Sequence, residues 1–199
     1  NTGQSFHLIY YQNSLITSLS MIRENLELYQ YEYPFYDKVN SKIQTFIKSL
    51  ECDSHPYHTR DQTLTKHIKN SQLNIKNREV DIIVNWITEI VNRDCFRPRL
   101  DSGYVRLKCS ELWGINYEKG GYLGHHSHDG YAYTFSYVVS MTKRSSPIIF
   151  TTSGRKVNQK EGQLTVFDSR LKHRVPHNKV GGKCILAGNI IFDWGNIDN

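Results

Sequence analysis

Long apolar runs are missing from this 199-residue sequence: clusters such as Ile82 to Val84 are far too short to span a bilayer, so no membrane partner is expected. Cysteine is sparse. Cys52, Cys95, Cys109 and Cys184 are scattered without a C-x-x-C pair, which excludes a zinc ribbon and a dithiol redox motif. No secretory signal is recognisable, so free thiols and a cytoplasmic (intracellular) location are expected. No dense Lys/Arg block with interleaved aromatics is present either. The net charge of +6 and pI near 9.1 favour acidic ligands, whether a dicarboxylate, a phosphate-bearing substrate or an acidic protein. Internal repeats and low-complexity linkers are absent, and 38% hydrophobic with 22% charged residues suits one compact domain over 1–199.

The first hundred residues read as a helical support region. After a short strand-like run from Phe6 to Tyr11, Leu15, Ile16, Leu19, Ile22 and Leu26 fall on one helical stripe. Val39, Ile43, Phe46, Ile47 and Leu50 repeat it after Pro34. Val80, Ile83, Val84, Ile87, Ile90 and Val91 give the clearest case. Between the second and third stripes, residues 51–77 read as a long polar connection with one short helix at most. Cys52, His55 and His58 stand three apart there, but Pro56 breaks any helix and no fourth zinc ligand follows, so they read as exposed loop residues.

From Gly103 the texture changes to strands. Val105 and Leu107 alternate with charged residues, and Leu112 to Tyr117, Tyr131 to Met141, Pro147 to Thr151, Gln163 to Phe167 and Lys183 to Phe192 are rich in β-branched and aromatic side chains. Glycine- and serine-bearing turns separate them. The pattern predicts a mainly β chain with N-terminal helices (α+β): an antiparallel sandwich or barrel over 101–199 with a helical layer on one sheet.

The chemistry concentrates in His126-Ser-His128 and in His173. A strand through the first motif throws residues 126 and 128 onto one face, where two imidazoles can converge on a metal ion, and His173 follows an apolar strand that can bring it alongside. His125 would point to the opposite face. Asp129 could replace His128 as a ligand if the backbone bulged. The plainer reading is a polar strand at a solvent-exposed rim. Trp113, Tyr122, Tyr131 and Tyr133 are candidates to line a channel, although strand aromatics are more often core. Arg174 reads as a surface charge, and His177 lacks the preceding strand that favours His173.

Taken in order, Tyr117 to Gly120, His126 to His128, Thr134 to Val139, Pro147 to Phe150, Gly162 to Phe167, His173 to Pro176 and Gly182-Lys183 resemble the 2-oxoglutarate- and iron(II)-dependent oxygenases. The resemblance covers residues 103–193. It implies a double-stranded β-helix (jelly roll) and a prolyl-hydroxylase-like site in a His-x-His variant branch. Most of that family carries His-x-Asp or His-x-Glu; here His128 stands at the carboxylate position, leaving the site one charge more positive.

The resemblance implies Fe(II) held by His126, His128 and His173, with 2-oxoglutarate as cosubstrate and O2 as oxidant. Lys183 would meet the far carboxylate, because a buried dicarboxylate needs a cation. Tyr117 and Thr134 would share that load. Without the family, Lys183 reads equally well as a solvated strand end. The expected outcome is hydroxylation with release of succinate and carbon dioxide. The substrate would be a protein side chain, a small molecule or a nucleic acid, bound by residues 118–124 and 142–146. Two other classes share these features: a three-histidine dioxygenase or cupin-like protein without 2-oxoglutarate, and a non-catalytic binding module on the same fold. The sequence leaves the oligomeric state open.

Overall fold

The computed structural model of the chain describes residues 27–50, 63–69, 77–95 and 105–194. The expected strand at 6–11, the helix through Leu15 to Leu26, and Cys52, His55 and His58 lie outside the described residues.

The described chain is mainly β, with two helices and two antiparallel sheets. In chain order the elements are β1 (Leu28–Glu32), α1 (Tyr36–Ser49), β2 (Thr63–Lys69), α2 (Arg78–Ile90) with a π-helical turn (Val91–Cys95), β3 (Arg106–Tyr117), β4 (Leu123–His126), β5 (Tyr133–Ser140), β6 (Ile148–Phe150), β7 (Lys156–Val157), β8 (Gln163–Asp168), β9 (His173–Val175) and β10 (Lys183–Asp193). The larger sheet runs β1-β8-β5-β10-β3-β2 and the smaller β4-β9-β6-β7.

Both faces of the larger sheet are covered, which is why β5 is buried along nearly its whole length instead of alternating with solvent. On one face Tyr137, Val139, Leu164, Val166 and Leu186 pack against Val39, Ile43 and Ile47 of α1 and Ile83 and Ile87 of α2. The stripes at i, i+3, i+4 and i+7 are what this burial requires. Asn77 caps α2, its side chain accepting from the Val80 amide at 3.0 Å. Asn40 ties α1 to the sheet: its side chain donates to the Val139 carbonyl at 2.9 Å and accepts from the Tyr137 hydroxyl at 2.8 Å. Ile47 sits so close to β3 that a Cβ at Gly114 would lie 2.5 Å from its Cγ2, so glycine is what admits the helix.

On the other face Ile115, Tyr117, Val138, Phe167 and Ile185 meet Ile148, Phe150, Val157 and Val175 of the smaller sheet. This is the interior. Strand register orders it into cross-strand rows: Glu111–Asn189–Thr134–Phe167, then Trp113–Ala187–Ser136–Thr165, then Ile115–Ile185–Val138, and finally Tyr117–Lys183.

Four expectations change. Residues 63–69 form β2, which pairs with β3 at the sheet edge, where a polar connection was expected. β1 forms the opposite edge on β8, so the N-terminal region supplies strands as well as helices. Both edge strands are polar (LYQYE and TLTKHIK), which hides them from an apolar-pattern reading. The strand predicted through His128 ends at His126. Residues 118–122 and 142–146 follow Tyr117 and Ser140 at the Lys183 end of the larger sheet, whereas Leu123 and Gly124 belong to β4 and run up to the histidines, so the expected binding segments divide between the two ends. Among the described residues no helix is long and apolar enough to cross a membrane. Cys95, Cys109 and Cys184 are buried.

Candidate metal centre

His126, His128 and His173 come together although only two of them lie on strands. His126 and His173 are directly paired across β4 and β9. A register shift between Leu123 and His126 turns the end of β4, and the chain then leaves the strand. His128 is brought back by Ser169, whose carbonyl accepts the His128 amide at 2.8 Å, while the Ser169 hydroxyl donates to the Tyr131 carbonyl. Ser169 is fully buried, so the segment carrying His128 is moored to the β8–β9 turn. The sequence signal for this anchor is slight: one serine after an apolar strand.

The ring centroids are 4.2 Å apart for His126 and His173, 5.0 Å for His126 and His128, and 5.4 Å for His128 and His173. One donor atom from each ring lies within 4.8 Å of the others. Metal–imidazole bonds are about 2.1 Å, so a bound ion would draw the donors inward by small side-chain movements. The second nitrogens support this. Nδ1 of His126 faces the Gly124 carbonyl at 2.9 Å, and Nδ1 of His173 faces the Leu171 carbonyl at 2.9 Å. A carbonyl only accepts, so Nδ1 carries the proton in both rings and Nε2 is left with its lone pair.

Electrostatics favours neutral rings. Burial, then His126, pushes the His173 imidazolium down to about 3, despite the opposing Leu171 hydrogen bond. Burial and His126 likewise push His128 down to about 4 against the pull of Asp129. Neutral imidazole is the ligating form, so protons compete little for these two rings at neutral pH. Phe167, 4.8 Å from the His173 ring, and Phe150 supply the apolar surroundings. Asp129 is exposed, accepts from the Ser127 hydroxyl at 3.2 Å and stands outside the cluster. His125 is exposed.

The three histidines line a cavity of about 160 Å³ between the sheets, with Trp113, Ile115 and Thr134 on the larger-sheet side. Trp113 approaches His128 at 6.1 Å. Of the other aromatics, Tyr122 packs on His177 at 4.4 Å and the Tyr133 hydroxyl donates to the Cys95 carbonyl at 3.0 Å.

Lys183 lies deeper, 1% exposed, with its Nζ donating to the Ser146 carbonyl at 2.7 Å and lying 5.2 Å from the Tyr117 ring centroid. No carboxylate pairs with it among the described residues. Burial lowers its pKa to about 8, so the ammonium form still predominates at pH 7. The Tyr117 hydroxyl is buried and has no hydrogen-bond partner among the described residues, and burial raises its pKa. An ammonium and an orphaned phenol in adjacent interior positions suit a buried anion. Thr134 is apart from them: it stands opposite Asn189, six residues along β10 from Lys183, about 20 Å of strand.

No protein-family model and no curated protein matches the sequence. Solved structures do. A 2OG-Fe(II) oxygenase family oxidoreductase from Burkholderia pseudomallei superposes with a TM-score of 0.63 at 11% identity, covering 90% of this chain and 89% of that one. A prolyl hydroxylase from Trichoplax adhaerens, in complex with a hypoxia inducible factor oxygen degradation domain peptide fragment, gives 0.61 at 12% identity, with 94% of each chain covered. HygX from Streptomyces hygroscopicus, with nickel and 2-oxoglutarate bound, gives 0.58 at 10% identity over 84% of this chain and 83% of that one. This chain has the fold of the 2OG-Fe(II) oxygenases, with a three-histidine cluster inside it.

Proposed function

We propose that the protein, acting as one domain with a jelly-roll (double-stranded β-helix) interior, is an Fe(II)- and 2-oxoglutarate-dependent oxygenase that hydroxylates a protein side chain or a small molecule. The observation that carries this reading is the pairing, within one interior, of three converging imidazoles with a buried ammonium that has no acidic partner among the described residues. Either feature alone has a plainer explanation. Together they match what a metal and a dicarboxylate need at opposite ends of a dry site.

In this reading His126, His128 and His173 hold the metal through one nitrogen each. The Gly124 and Leu171 carbonyls keep the Nδ1 protons of His126 and His173 and so fix which nitrogen ligates. Lys183 spends one N–H on Ser146 and keeps two for the far carboxylate of 2-oxoglutarate, and Tyr117 adds its free hydroxyl. Trp113, Phe167 and Ile115 keep water from the cavity. Iron(II), when bound, supplies the oxygen activation that couples decarboxylation of 2-oxoglutarate to hydroxylation.

Succinate formation, measured with Fe(II), 2-oxoglutarate and O2 against a substrate panel, tests the reading. Succinate is expected in the wild type and is lost when Fe(II) is omitted or His173 is replaced by Ala. Metal uptake with no 2-oxoglutarate binding would contradict it, and would favour a three-histidine enzyme that does not use the cosubstrate.

A further inference from the structure

The outermost interior row fixes the direction of a hydrogen-bond chain. Asn189, 1% exposed, donates from Nδ2 to the Glu111 carboxylate at 2.9 Å, and its Oδ1 accepts from the Thr134 hydroxyl at 3.0 Å. The polarity follows from Glu111. A carboxylate oxygen accepts, so it takes the amide NH2 end of Asn189 and leaves the amide oxygen to face Thr134. Thr134 has one hydroxyl hydrogen, and this chain consumes it. Burial, and then a hydrogen bond to Glu111, raise the pKa of the Tyr131 hydroxyl against an opposing hydrogen bond with Asn189.

Thr134 lines the same cavity as the three histidines. With its hydrogen committed to Asn189, it can offer a ligand only lone pairs. It therefore repels a carboxylate and attracts an N–H or O–H. We infer that Thr134 is a specificity-determining acceptor for a substrate that carries a hydrogen-bond donor, an amide N–H or a hydroxyl, beside its reacting carbon, and that Glu111 and Asn189 are the positioning residues that enforce this polarity. The role of Thr134 as a carboxylate ligand is thereby replaced. The inference rests on the oxygenase reading only in naming the cavity's occupant a substrate.

The test uses two isosteric probes, pyrrole, which donates through N–H, and furan, which only accepts, titrated into the metal-free full chain and followed by protein NMR. Pyrrole is expected to bind more tightly than furan by roughly fivefold, the worth of one hydrogen bond. Thr134→Val, a near-isosteric change, should abolish that preference, and Thr134→Ser should keep it. Glu111→Gln can present its own NH2 to Asn189 Oδ1, so the chain can reverse and the preference should shrink or invert. Furan binding as tightly as pyrrole, a preference that survives Thr134→Val, or no pyrrole binding at all would overturn the inference. None of these readouts needs metal or 2-oxoglutarate, so the oxygenase reading can fail while this one stands, and the reverse.

Discussion

His126 and His173 face each other across the β4–β9 pair with ring centroids 4.2 Å apart, and each fixes its Nδ1 on the carbonyl two residues before it. The shared arrangement presents two Nε2 lone pairs from one sheet edge. Replacing either ring by Ala should remove stoichiometric metal binding, as measured by titration calorimetry with Fe(II) or Mn(II) under nitrogen. His128→Asp should retain the metal and bind it more tightly, because a carboxylate adds the charge that this site lacks.

Ser169 controls the third ring from a distance. Ser169→Ala removes the hydroxyl that holds the Tyr131 carbonyl but keeps the Ser169 carbonyl–His128 amide bond. The expected result is a loss of metal affinity of about 10-fold, the low end for loss of a supporting contact, with the thermal midpoint little changed.

Lys183 sets function against stability. Its pKa falls from 10.5 to about 8 on burial, so the folded state disfavours the charge that the unfolded chain carries. The associated stability is present above pH 10.5 and is lost as pH falls toward 8; at neutral pH the cost is complete. Lys183→Met should therefore stabilise the chain at pH 7 by about 1–3 kcal/mol in urea unfolding, while weakening 2-oxoglutarate binding at least about tenfold and leaving metal affinity unchanged. Unchanged cosubstrate affinity would refute the assignment.

The histidines give the opposite end of the pH scale. His128 and His173 have folded values of about 4 and about 3 against 6.5 for the free side chain. In the unfolded chain they take up protons as pH drops below 6.5, and the folded chain resists. Stability should therefore be full above pH 6.5 and decline progressively toward pH 3 in the metal-free protein. Denaturant midpoints measured across that range should fall less steeply in His173→Gln.

Gly114 tests the helix–sheet contact. An alanine Cβ there would stand 2.5 Å from Ile47 Cγ2 and 2.7 Å from its Cγ1, so Gly114→Ala should cost about 1–3 kcal/mol of stability. In an Ile47→Ala background, which lacks both of those carbons, the same Gly114→Ala change should cost less in the same unfolding experiment.

Much of this was legible in the residues, and the exceptions have physical causes. The α1 and α2 stripes at helical spacing and the apolar strands β5, β8 and β10 lie where the pattern put them, because burial against a neighbour dictates those periods. The polar edge strands β1 and β2 were hidden, since an edge strand is held by backbone pairing that leaves little mark on side-chain hydrophobicity. His126, His128 and His173 are legible from spacing and resemblance, yet a strand accounts for only the first of the His126–His128 pair: His128 arrives through a moored loop. The Glu111–Asn189–Thr134 row was invisible because its members are 78 and 55 positions apart and only the β3–β10–β5 register joins them.

In the proposed centre three imidazoles share one ion. X-ray absorption of the Fe(II)-loaded chain measures this directly: three nitrogen scatterers at about 2.1 Å with imidazole outer-shell features are predicted, falling to two in His128→Ala. An iron environment of oxygen alone, or a spectrum unchanged by that substitution, would contradict it.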